Sequence, residues 1–139
     1  VANAAFSARP FNLIDAALRA AIVGLTLATA SIHSNLGGAL FTLNAFGYVV
    51  LATAMVAPLE IARRFRWIVR IALAGYAATT IVGWAIQGPF YSTAYVAKAI
   101  EIALIVLLAI DFVRFDGNPL IVIRHELVRL LPVWPQLLG

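Results

Sequence analysis

Lys98 and Glu101 are the residues of this chain best equipped for chemistry, because two charged groups stand three residues apart inside an otherwise apolar run. On a helix that spacing puts both on one face. A charge at the middle of a bilayer-spanning helix costs roughly 2.5–3.5 kcal/mol on insertion scales, so each needs either a partner or a task. In one reading Glu101 accepts a proton or cation and Lys98 draws in an anion. In the other the two pair with each other while the lysine stem reaches the outer interface, a structural arrangement with no ligand.

Asn44 and Tyr48 form a second candidate pair, one helical turn apart. Asn44 lies about seven residues, about 10 Å, below Gly37 and Gly38, and Glu101 lies the same distance below Ala94, so the two are expected at one depth and facing each other. His33 ends the first apolar stretch on that side and Gln87 ends the third. An outward-facing polar site of Glu101, Lys98, Asn44, Tyr48 and His33 is therefore one expectation. A packing network, with Asn44 hydrogen-bonding between helices, is the other.

A histidine at the end of a membrane helix can also ligate haem or chlorophyll through a single bond, and His33 is the candidate. Paired histidine ligation is not expected, because the only other histidine, His125, belongs to the opposite side of a hydrocarbon core about 30 Å thick. No other cofactor is predicted. The sequence lacks cysteine, which removes thiolate metal sites, iron–sulfur clusters and cysteine nucleophiles. It also lacks HExxH, a Walker loop, GxSxG, a dinucleotide fingerprint and any His or carboxylate cluster at metal-ligand spacing, so no enzyme is expected.

The elements that must position these residues are set by hydropathy. Of 139 residues 63% are hydrophobic and 12% charged, about half the charged fraction a soluble domain uses to cover its surface. Mean hydropathy is +0.97. Four apolar stretches, at about 13–33, 38–57, 68–86 and 94–113, each match the bilayer core at about 1.5 Å per residue. Asn12 is a fitting N-cap for the first, with Asp15 near the positive end of its dipole and Arg19 one turn on, spaced to pair with Asp15. Val1 to Phe11 has no apolar core of a cleavable signal, so the first span is expected to be retained. Small residues recur at Ala17, Ala20, Gly24 and Ala28, and again at Gly75, Thr79 and Gly83, which lets a neighbouring helix approach closely.

Basic residues decide the orientation. Arg9, Arg19, Arg63, Arg64, Arg66, Arg70, Arg114, Arg124 and Arg129 fall on one side of the four spans and only Lys98 on the other, which places both termini in the cytoplasm. Tyr91 and Tyr95 on one side, with Trp67 and Trp134 on the other, fit the aromatic belts of a bilayer. The group Arg63, Arg64, Arg66 and Arg70 either sets topology or also meets anionic lipid or a cytoplasmic partner. The pI near 10.1 does not indicate nucleic acid, because the arginines sit in short loops between spans. After the turn Asp116–Pro119, a segment at about 120–131 is too short and too charged to cross and is expected to lie amphipathic in the interface, ended by Pro132 and Pro135.

The predicted fold class is thus a single all-α membrane domain over 1–139, a four-transmembrane-helix bundle with N-in/C-in topology and a short C-terminal interfacial helix. A multi-pass protein of the bacterial inner membrane is the expected setting. Almost no mass lies outside the membrane, which points first to an accessory subunit of a larger membrane complex, respiratory or photosynthetic, with lipids and other subunits as partners. The alternative is a small homo-oligomeric transporter, channel or ligand sensor built around Glu101. A third reading is quinone or tetrapyrrole binding through His33.

Overall fold

The computed structural model describes residues 11–130, and among these the chain is all-helical with no strand. Arg9, Pro132, Trp134, Pro135 and the predicted end of the interfacial helix lie outside the described residues. Helix α1 spans Leu13–Asn35, α2 Ala39–Val56, α3 Glu60–Arg64, α4 Arg66–Gln87, α5 Ser92–Phe115 and α6 Pro119–Leu130. Three of them, α1, α2 and α4, are long and apolar enough to cross a membrane.

The predicted cap holds: the Asn12 side chain accepts from the Ile14 N–H at 2.9 Å, satisfying one of the donors that a helix start leaves open. Leu36 to Gly38 then turn the chain within three residues, with φ of +73° at Gly37 and +87° at Gly38. Only glycine enters that region without strain. The result is the antiparallel α1/α2 hairpin expected from so short a connection.

The four long helices form a ring in which α1 packs on α2 and α5, and α4 packs on α2 and α5. Ile22, Met55, Leu73 and Leu104 fill its centre with no exposed surface. The ring is apolar outside and charged inside. Leu27, Phe46, Val50, Val82, Ile102, Val106 and Ile110 face outward, whereas His33, Arg70, Lys98, Glu101 and Asp111 are buried. In water that distribution would expose a continuous apolar surface; in a bilayer it is the expected one.

Two details differ from the sequence expectations. Asp15 does not pair with Arg19. Arg114 of the neighbouring α5 reaches it instead, donating from Nε and Nη2 to Asp15 Oδ1 at 2.9 and 2.6 Å, and Arg19 stacks its guanidinium 5.4 Å from the Phe115 ring centre. A fork that delivers two donors from an adjacent helix outcompetes a single long side chain on the same helix. The segment after Pro58 contains the short helix α3, closed by an ion pair between Arg63 and Glu60. Helix α6 leaves every described side chain exposed or half-buried, and Glu126 lies 3.6 Å from Arg129 on its polar side.

Candidate functional site

Glu101 is fully buried, and helices α1, α2 and α5 all supply groups to it. Thr29 of α1 donates its hydroxyl to Oε1 at 3.0 Å, Tyr48 of α2 donates to the same oxygen at 3.1 Å, and Lys98 of α5 donates from Nζ to Oε2 at 2.7 Å. Three donors thus converge on one carboxyl group, two on Oε1 and one on Oε2. His33 completes the cluster, with Nε2 at 3.7 Å from Oε1. Its Nδ1 lies 2.8 Å from the Thr29 carbonyl oxygen, which can only accept, so Nδ1 carries a proton.

Helix α4 closes the cluster from the fourth side. Thr80 Oγ1 sits 3.1 Å from the Tyr48 hydroxyl, and the Tyr76 ring meets the Tyr48 ring edge-on at 4.8 Å between centres. Tyr76 in turn donates to the Asn44 carbonyl at 3.1 Å. That contact depends on Gly47, where any Cβ would collide with the Tyr76 hydroxyl. The expected pairing of Lys98 with Glu101 is present, on the i, i+3 spacing.

Above the cluster is a cavity of about 410 Å³, lined by His33, Phe41, Asn44, Tyr76, Thr80, Trp84 and Lys98 among others. Of the residues expected around a site, His33, Asn44 and Lys98 reach this cavity. Tyr48 and Glu101 do not; both have no exposed surface and lie beneath it. Asn44 does not meet Glu101 as its depth predicts, because its helix face turns it toward the cavity and leaves Tyr48, one turn on, to reach the carboxylate.

A second buried ion pair lies toward the other end of the bundle. Arg70 donates from Nε to Asp111 Oδ2 at 2.5 Å and from Nη1 to Asp116 Oδ2 at 2.7 Å. Arg70 therefore separates from Arg63 and Arg64, which are exposed. It stands one turn inside α4 on the face that meets α5, so it serves the interior. Burial pushes the Asp116 carboxyl above its ordinary range, against the opposing pull of the Arg70 guanidinium.

Thr29 and the Arg70–Asp111 pair are the functional groups that spacing alone does not single out. Thr29 stands one turn before His33 on α1, and that i, i+4 relation is the one local signal for it. Among the described residues no group of three or more His, Cys, Asp or Glu is placed to hold a metal ion. Comparison with protein-family models, with curated proteins and with solved structures finds no match for this chain.

Proposed function

We propose that this chain is a four-span protein of the bacterial inner membrane, both termini cytoplasmic, that binds a small lipophilic ligand in its outer half as a sensor or carrier. The cavity floored by Lys98, itself tied to the buried Glu101, is the observation that carries this reading. A few polar groups in a largely apolar hollow are the usual construction of a small-molecule site, where the polar groups orient and the walls supply affinity.

The fourth span rests on α5. Its residues Ile102, Val106, Ile110 and Val113 form an outward stripe while Lys98, Glu101 and Asp111 turn inward, so the charges of this helix need not meet lipid. Orientation rests on Arg63, Arg64, Arg114, Arg124 and Arg129, which gather at the end of the bundle opposite Lys98. In that frame α6 lies along the cytoplasmic interface, and Arg63 and Arg64 meet anionic headgroups. The native chain contains no cysteine, so Ser34→Cys and Arg64→Cys variants label uniquely. Impermeant maleimide should reach the first from outside intact cells and the second only after permeabilisation.

Binding is favoured over conduction because Leu104 and Leu108 on α5, packed with Ile22, Met55 and Leu73, close the bundle between Glu101 and Asp111. One observation favours the accessory-subunit reading as well. Ala17, Ala20 and Gly24 face outward, and a Cβ at Gly24 meets no atom within 4 Å, so this small-residue stripe is unused within the bundle.

One experiment tests these readings together: gentle purification from native membranes, a visible spectrum, and mass spectrometry of both protein and organic extract. A discrete lipophile enriched over bulk lipid, and lost from a Lys98→Met/Glu101→Gln variant that keeps the interior neutral, supports ligand binding. The same lipid profile in both proteins refutes it. Stoichiometric protein partners would instead establish the accessory subunit, and a visible absorption band a tetrapyrrole on His33.

A further inference from the structure

We infer that the ligand of the outer cavity is an uncharged, carbonyl-headed lipophile of the quinone class that reaches Lys98 sideways, between α2 and α4. The inference rests on the ligand-binding reading above and names its chemistry.

The direction follows from the walls. Leu40 and Leu43 of α2 and Thr79 and Gly83 of α4 line the cavity while remaining exposed, whereas Lys98 of α5 and His33 of α1 lie at its back and are buried. Exposed lining on two adjacent helices and buried lining on the two behind them describe a hollow that faces outward through the α2/α4 seam. Below, the Tyr76 contact with Asn44 shuts that seam. A ligand arriving from the hydrocarbon region would leave its tail between the helices and present its head to Lys98.

The head must accept hydrogen bonds. Lys98 Nζ gives one proton to Glu101, and an ammonium group has three to give. Tyr76, Thr79 and Thr80 already donate to the backbone carbonyls of Asn44, Gly75 and Ala77, so the protons left for a ligand are those of the ammonium and of the Asn44 and Gln87 amides. An anionic head fits this site poorly. Lys98 is neutralised by Glu101 at 2.7 Å, and a carboxylate would add an uncompensated charge to a space walled largely by apolar side chains. A neutral carbonyl accepts the same bond without that penalty. Phe41, Tyr76 and Trp84 line the cavity as well, and rings favour stacking or edge contact with a flat conjugated head.

Trp84 makes the inference directly testable, since quinones quench indole fluorescence. In a Trp67→Phe/Trp134→Phe background of the full chain in phosphatidylcholine nanodiscs, decylubiquinone should quench Trp84 saturably and palmitate should not compete. Gly83→Leu fills the cavity from a position where a Cβ meets nothing within 4 Å, so it should weaken binding without unfolding the bundle. Losing the ammonium donor in Lys98→Met/Glu101→Gln should weaken it by about tenfold or more. Saturable palmitate binding without quinone binding would overturn the ligand class and leave the ligand-binding reading standing. No saturable response to either lipophile would overturn both. Equal quenching in the Gly83→Leu protein would mean collision from the bilayer and would sink the inference, as would unchanged affinity in the Lys98→Met/Glu101→Gln protein.

Discussion

Lys98→Met perturbs the interior at the point where its charge balance is most exposed to test. In the native protein the ammonium lies 2.7 Å from Glu101 Oε2, with side-chain exposures of 8% and 0%, so Glu101 has no water to fall back on. Removing one partner of such a pair costs about 3–5 kcal/mol, most of it from stranding the other charge. The lower end applies here, about 3 kcal/mol, because Thr29 and Tyr48 go on donating to Oε1 and hydrogen bonds to a charged group are worth about 1.5–3 kcal/mol each. Adding Glu101→Gln should recover much of the loss. The amide oxygen still accepts from Thr29 and Tyr48, no charge remains stranded, and the double variant should sit about 1 kcal/mol below the wild type, about 2 kcal/mol above Lys98→Met alone. Reversible unfolding in mixed micelles of rising dodecyl sulfate content, followed by tryptophan fluorescence, reads all four corners of the cycle. A double variant less stable than Lys98→Met alone, or costs that simply add, would refute the view that these two groups neutralise each other.

Gly47→Ala should destabilise by about 1–3 kcal/mol, since its methyl group must displace the Tyr76 hydroxyl from the Asn44 carbonyl. The same change at Gly75, where a Cβ meets nothing within 4 Å, should leave unfolding within about 0.5 kcal/mol of wild type and serves as its control. Asp111→Asn should cost about 3 kcal/mol, the lower end for a broken buried pair because Asp116 still pairs with Arg70, and Asp116→Asn less. The pH dependence of that second variant has a definite sign. Because burial raises the Asp116 carboxyl, its contribution is fully present below the ordinary aspartate range near pH 4 and fades as pH rises through the raised value. Wild-type stability should therefore decline relative to Asp116→Asn from about pH 4 upward, and a gap that is constant or moves the other way across unfolding curves at several pH values would contradict it.

Helix positions were legible in the sequence because apolar length against bilayer thickness is a strong constraint, and the ends of α1, α2 and α4 fall within a few residues of expectation. Depth was legible only to within a turn: rise per residue levels Asn44 with Glu101, whereas Tyr48, one turn on, meets the carboxylate. Rotation about the helix axis was not. Asn44, expected to face Glu101, lines the cavity instead, and Tyr48 takes the place at the carboxylate. The same gap hid the partnership of Asp15 with Arg114 and of Arg70 with Asp111, residues 99 and 41 positions apart. Local spacing nominates partners on one helix, and bundle geometry chooses among partners on neighbouring ones.

Two buried ion pairs on a single helix invite the idea of a charge path across the membrane, and the packing between them argues against it. Glu101 and Asp111 are ten residues apart on α5, about 15 Å along the axis. Leu104 and Leu108 occupy the inward positions between them and close against Ile22, Met55 and Leu73, none of which offers a hydrogen-bonding group. A proton or ion would have to cross that layer unsolvated, at a cost far above that of the paired state. The two pairs are better understood as separate fixtures. Arg70 ties α4 to the end of α5 through Asp111 and Asp116, and Arg114 ties α5 to α1 through Asp15, which braces the end of the bundle opposite Lys98. The other half, where Tyr76 joins α2 and α4 below the cavity, keeps that space open. Lys98 and His33 line that cavity and both reach Glu101, so on the ligand-binding reading proposed above they are its links to the side chains of α1 and α2 that hold the core.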